Sequence, residues 1–153
     1  MKYEIKSFIA KAEFIAAVHA RVPRGRVGQY FGASLDKVWQ FLRRNPGLRT
    51  DGHNFFLYHH VGCDAQFLSI DFGVQVVRSF EQQEDVCCVT TPAGEAVMAL
   101  HRGSYDKLPA AHTAIHDWCR DNNRIIGDVS WEVYGDWNND TSKLETTVVY
   151  LLR

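Results

Sequence analysis

The chain is predicted to fold as an α+β domain in which a β-α-β-β module occurs twice, giving an antiparallel sheet with two helices on one face. Three observations predict this. The sequence nearly repeats itself: Ala12-Glu13-Phe14-Ile15-Ala16-Ala17-Val18-His19 returns as Gly94-Glu95-Ala96-Val97-Met98-Ala99-Leu100-His101, Glu over Glu and His over His. Farther on, Phe55-Phe56-Leu57-Tyr58 returns as Trp131-Glu132-Val133-Tyr134, a shift of 134 − 58 = 76. The same shift lays Asp64 over Asp140 and Ser69-Ile70-Asp71-Phe72-Gly73-Val74 over Glu145-Thr146-Thr147-Val148-Val149-Tyr150. Third, each half carries one stretch of helical spacing between strand-like stretches, and helices segregated to one face are the simplest way to cover such a sheet.

The elements follow in order. Lys11 to Val22 is rich in β-formers and ends at Pro23-Arg24-Gly25. From Val27 the period changes, and Val27, Tyr30, Phe31, Leu35, Val38, Phe41 and Leu42 share a helical stripe. Asn45-Pro46-Gly47 stops it, because proline disfavours helix at the preceding residue. Phe55 to His60 and Gln66 to Val77 read as strands joined by a turn at Gly62-Cys63-Asp64. In the second copy, Glu95 to His101 is the strand. Leu108, Ala111, Ile115, Trp118 and Cys119 form the helical stripe, which ends near Asp121-Asn122-Asn123. Trp131 to Tyr134 and Thr146 to Leu152 close the copy, with short strands near Ile5 and Val86–Val89 leading into each half. The two pseudo-repeats span about 1–80 and 81–153 of one domain.

Bulk properties bound the function. The 153 residues suffice for one ordinary domain with its own core. Hydrophobic residues at 46% and charged residues at 23% argue against disorder. No apolar run approaches the roughly 20 residues that span a bilayer, and the N-terminus lacks the apolar stretch of a secretory signal. A cytoplasmic address and no membrane partner are therefore expected. Cys63, Cys87, Cys88 and Cys119 show no paired spacing and read as reduced thiols.

A net charge of −1 gives no overall pull toward nucleic acid, yet the charge is uneven. Residues 1–50 hold ten Lys or Arg against three Asp or Glu. Arg21, Arg24 and Arg26 precede the first helix, and Arg43, Arg44 and Arg49 follow it. Such a face is either simply solvated or a docking surface for an acidic partner.

Nucleophile and phosphate-loop signatures are missing: there is no Gly-x-Ser-x-Gly elbow, and Gly103-Ser104-Tyr105-Asp106 lacks the spacing of a phosphate loop. Tyr58-His59-His60 with Cys63 invites a metal reading, but strand neighbours point to opposite faces, so no metal and no cofactor are expected. His19 and His101 end equivalent strands and are expected to be hydrogen-bonded structural residues. In Trp131-Glu132-Val133-Tyr134, alternation sets Glu132 with Tyr134 on one face and Trp131 with Val133 on the other. In the last strand Glu145, Thr147 and Val149 share a face. A sheet face left uncovered by the helices must be wet or line a cavity. Carboxylates with aromatic neighbours there suit a cationic or amphiphilic ligand, and such a carboxylate can also serve as a general base. The same pattern fits a solvated Glu132 and a core Tyr134.

Together, Leu100-His101-Arg102-Gly103-Ser104-Tyr105-Asp106-Lys107-Leu108, Trp118, Trp131-Glu132-Val133-Tyr134, the strand from Leu144 to Leu152, Phe56-Leu57-Tyr58 and Asp64 resemble the GyrI-like family. That family is the bacterial effector-binding domain also found behind DNA-binding modules in AraC-type and MerR-type regulators. The resemblance implies a cleft between the repeats that binds amphiphilic, often cationic, small molecules. The family's Glu-x-Tyr falls on Glu132 and Tyr134; its acidic position in the last strand falls on Thr147, a departure that Glu145, two residues earlier, offsets.

Together with the strand and repeat patterns, the candidate ligand set is Tyr30, Tyr58, Asp71, Trp131, Glu132, Tyr134, Glu145 and Thr147, and the repeat sets Asp71 and Glu132 on the two sides of a pocket at the seam. The resemblance also admits a hydrolase acting through Glu132 or Glu145 with Tyr134, and a protein-interaction module such as a gyrase modulator using Arg24, Arg26 and Arg43. Direct DNA binding is not expected, since both long helices belong to the repeats. A monomer or homodimer is compatible with all three.

Overall fold

The computed structural model describes residues 3–48, 52–60 and 65–153. The expected turn at Gly62, Cys63 and Asp64, and Arg49, lie outside them. The elements are β1 (Lys6–Ala10), β2 (Phe14–Pro23), α1 (Val27–Arg44), β3 (Asn54–His59), β4 (Phe67–Val76), β5 (Cys87–Thr90), β6 (Gly94–Arg102), α2 (Pro109–Asp121), β7 (Ile126–Tyr134) and β8 (Glu145–Leu152), with three single-turn 3-10 segments. The α+β class and the two helices are as the sequence predicts.

All eight strands join one antiparallel sheet in the order β1-β6-β8-β7-β3-β4-β2-β5. The halves meet where β3 pairs with β7. They are also interlocked at the edges: β1 of the first half pairs with β6 of the second, and β5 of the second pairs with β2 of the first. Each lead strand thus completes the other half's sheet.

Register reveals the symmetry. Phe56 pairs with Glu132 across the central junction, and these two positions are related by the 76-residue repeat. The pseudo-twofold axis therefore passes between them. Extending that pair sideways gives one lateral row, Val18–Phe72–Phe56–Glu132–Val148–Ala99. Cross-strand partners share a face, so all six side chains point the same way. Five are apolar and one is a carboxylate.

Both helices cover this face. The α1 residues Leu35, Val38, Phe41 and Leu42 pack on Val18, Phe72 and Val74, and the α2 residues Ala111, Ile115 and Cys119 pack on Val97, Ala99 and Val148. The helix ends follow from local chemistry. Arg43 and Arg44 sit in the last turn of α1, where cations meet the negative end of the helix dipole, and the Asn45 side-chain amide donates to the Phe41 carbonyl at 2.9 Å. Pro109 opens α2 at a position where its missing N–H costs nothing, and Asn122 donates to the Trp118 carbonyl at 2.8 Å.

The middle of the opposite face is dry. Ile15, Ala17, Phe55, Leu57, Ala96, Trp131 and Val149 are buried there in one cluster, with Phe8 and Val89 of the edge strands partly buried against it. The larger cleft described below opens instead on the helix side of the sheet.

A second correction concerns the first repeat. Val18 lies over Ala99 in the register, so the true offset of this strand is one residue shorter than the His-over-His alignment. Strand side chains alternate, and a one-residue slip reverses faces. His101 accordingly points inward, fully buried, with Tyr3 Oη 2.7 Å from Nδ1 and the Ser104 carbonyl 2.9 Å from Nε2. His19 points to the other side, half exposed.

Candidate ligand-binding site

The helices sit over the two halves of the sheet, and the central strands between them are left as the floor of a cleft. Its volume is about 1120 Å³. The first turns of α1 supply Val27, Gly28 and Phe31 to one wall, the region from Tyr105 through α2 supplies Leu108, Pro109, His112 and His116 to the other, and β3 and β7 supply Phe56, Tyr58, Glu132 and Tyr134. Trp137, 69% exposed, stands at the rim. This explains why Phe31 on the predicted stripe of α1 remains partly exposed: its end of the helix overhangs the cleft instead of the core.

Glu132 lies at the centre of the floor and is only 4% exposed. Its Oε1 accepts from Tyr58 Oη and from Tyr134 Oη, both at 2.8 Å, and Oε2 accepts from His112 Nε2 at 2.7 Å. A carboxylate can only accept, so His112 donates through Nε2; in the neutral ring Nδ1 is then the acceptor for Tyr150 Oη, 2.7 Å away. Tyr58 and Tyr134 are themselves related by the 76-residue repeat. Two symmetry-related phenols thus converge on the acidic member of the Phe56–Glu132 pair at the axis.

The electrostatics are consistent with this wiring. Burial, and then the Glu132 charge, push the Tyr58 and Tyr134 hydroxyls far above the usual phenol range, so both stay protonated donors. The same causes raise Tyr150 to about 12. His116 is held below the ordinary imidazole value by burial first and by His112 second. Among the non-imidazole charges of the lining, Arg24 offsets Asp106 and Glu132 remains.

Aromatic rings surround the carboxylate. Phe56 contacts Tyr134 with centroids 4.7 Å apart, Phe31 with 5.8 Å, and Tyr105 meets Tyr134 edge-on at 5.4 Å. Exposed Tyr105 and Trp137 continue this surface to the rim at 6.5 Å.

Of the residues predicted from sequence, Tyr58, Glu132 and Tyr134 come together here. Tyr30 is on α1 but does not line the cleft. Asp71, Trp131, Glu145 and Thr147 lie on the opposite sheet face, because each is an odd number of residues from the cleft-facing Phe72, Glu132 or Val148 on its own strand. Glu145 and Thr147 border a separate groove of about 340 Å³ with His53 and Lys143. Asp71 and Glu132 therefore do not face each other, and no pair of carboxylates forms from Glu132 and Glu145. The arginines do not make one patch either: Arg26 precedes α1 and Arg43 and Arg44 end it, roughly 27 Å away along its 18 residues.

Sequence reasoning missed Phe31, Tyr105, His112, His116 and Trp137. A signal for two of them was present: His112-Thr113-Ala114-Ile115-His116 is a His-x-x-x-His spacing beside the apolar stripe of α2. No group of three or more His, Cys, Asp or Glu among the described residues is arranged to hold a metal ion. Likewise, no helix among the described residues is long and apolar enough to cross a membrane.

A two-fold α+β sheet with a cleft between helices over a buried carboxylate defines a small-molecule-binding domain. The sequence matches the GyrI-like small molecule binding domain over residues 1–151, and the chain belongs to that family. Among solved structures, the C-terminal domain of EcmrR is similar at 22% identity with a TM-score of 0.86, covering 100% of this chain and 99% of that one. The protein SAV2435 bound to tetraphenylphosphonium is similar at 12% identity, TM-score 0.65, over 100% of this chain and 94% of that one. A hydrolase from Listeria innocua is similar at 10% identity, TM-score 0.67, over 98% and 92%. At these identities the structures share the fold. No curated protein matches the sequence.

Proposed function

We propose that this domain binds amphiphilic organic cations in the cleft between α1 and α2, for sensing or sequestration, with Glu132 as the counter-charge. The observation that carries the proposal is a carboxylate buried at the centre of an aromatic cleft and held there by three donors. The two phenol donors spread the charge of the carboxylate without cancelling it. A delocalised cation whose centre lies ~5 Å away gains about 3 kcal/mol at an effective dielectric of ~20. Phe31, Phe56, Tyr105 and Trp137 add apolar contact and cation–π attraction, each worth about 0.5–2 kcal/mol. The binding of tetraphenylphosphonium by a protein of the same fold supports this ligand class.

The test is a fluorescence titration with tetraphenylphosphonium. Trp137 at the rim should be quenched in a saturable, one-to-one curve, and Trp137→Phe should remove most of the change while binding persists by calorimetry. An unsaturable or absent response would count against the proposal.

A further inference from the structure

A second cluster of chemical groups lies on the sheet face away from the cleft. Asp71, buried on β4, has Oδ1 2.7 Å from His19 Nδ1 and Oδ2 2.6 Å from His59 Nε2. Since a carboxylate only accepts, both ring nitrogens donate to it. That fixes the tautomer of neutral His19: its Nε2 is left as an acceptor, and Ser69 Oγ lies 3.2 Å from it. Strand geometry assembles the set. Ser69 and Asp71 are two residues apart on β4 and share a face, His19 pairs with Asp71 on β2, and His59 pairs with Ser69 on β3. Arg21 stands directly across from Ser69, its guanidinium 4.0 Å from the centroid of the Phe67 ring.

We infer that Ser69, His19 and Asp71 form a second site, a nucleophile–base–carboxylate relay able to hydrolyse small activated esters. The chemistry needs three roles, and each is filled. His19 Nε2 takes the Ser69 hydroxyl proton as Oγ bonds to the acyl carbon. The tetrahedral adduct then expels the alcohol or phenol, which leaves with the proton from His19. Water attacks the acyl-Ser69 ester, giving up a proton to the same nitrogen. The carboxylic acid departs, and the proton returns to Ser69 Oγ.

Asp71 orients the imidazole and stabilises the imidazolium; His59 holds the other carboxylate oxygen and prevents rotation. Arg21, paired across from Ser69 with its guanidinium over the Phe67 ring, adds positive charge to this face. The His19 side chain is 57% exposed, so substrate reaches it from solvent without a pocket. An open surface of this kind selects for reactivity in the ester, not for size or shape.

The test combines labelling with diisopropyl fluorophosphate and turnover of p-nitrophenyl acetate by the whole chain. Peptide mass spectrometry should place the phosphoryl adduct on Ser69, and Ser69→Ala should abolish both labelling and turnover. His19→Gln keeps the serine but removes the base, and should slow both reactions about 100-fold. Because His19 is exposed, that variant should retain the wild-type circular dichroism spectrum, separating lost chemistry from lost fold. No adduct on Ser69, an adduct formed equally fast in His19→Gln, or full turnover in Ser69→Ala would overturn the assignment.

Discussion

Glu132 and its two phenols make a symmetric prediction at the scale of single residues. Tyr58 and Tyr134 donate to the same oxygen at the same 2.8 Å from either side of the pseudo-twofold axis. Tyr58→Phe and Tyr134→Phe should therefore cost similar amounts, about 1.5–3 kcal/mol each for a hydrogen bond to a charged group. Urea denaturation measures both, and a difference above ~1 kcal/mol would show that the two positions are not equivalent. Their double variant should cost more than the sum, because Oε1 then loses every donor. Sequence alternation alone gave Glu132 and Tyr134 a common face, and the repeat brought in Tyr58. It could not supply His112, whose role depends on how α2 lies across the sheet.

At the scale of elements, close approach between strands decides which glycines matter. A Cβ on Gly73 in β4 would lie 2.5 Å from the Ala16 carbonyl oxygen on β2, a backbone atom that cannot move without breaking the ladder. Gly73→Ala should destabilise the protein by about 1–3 kcal/mol. Gly32 in α1 has no atom within 4 Å of such a Cβ. There Gly32→Ala should stabilise by about 0.5–1 kcal/mol through the lower entropy of the unfolded chain. Thermal melts of the two variants should move in opposite directions.

The strand pairings themselves were legible: the 76-residue shift fits β3 to β7 and β4 to β8 throughout. The first strand was not. Conserving Glu and His labels across Glu13–His19 and Glu95–His101 misplaced it by one residue, and in a structure of period two that exchanges inside for outside. The exchange of lead strands β1 and β5 between halves leaves no local trace in the sequence, since pairing partners lie 70 or more residues apart.

For the whole molecule, what the repeat could not reveal was which sheet face opens. Both faces carry buried apolar clusters, but only one is covered by the two helices. Two helices placed symmetrically about the axis leave a gap on it, and the gap coincides with the Phe56–Glu132 pair. Stability should also depend on pH through His116 in this gap and His60 beside Ser130 and Tyr150. Burial lowers His60 and His116 below the ordinary value of 6.5, so the folded state resists protons that the unfolded chain accepts. Their contribution is complete above about pH 6.5 and is lost as pH falls through and below it toward the folded values. Melting temperature should drop between pH 7.5 and 5.5, and His60→Gln should flatten that slope; an unchanged slope would remove His60 from the account.

The most direct test of the central claim compares a cation with a neutral ligand of similar shape, tetraphenylphosphonium against triphenylphosphine oxide, on wild type and Glu132→Gln by calorimetry. Removing the counter-charge should weaken the cation by about 2–3 kcal/mol, roughly 30- to 150-fold, and the neutral compound by less than about threefold. Equal losses for both ligands, or no loss for the cation, would contradict the role given to Glu132.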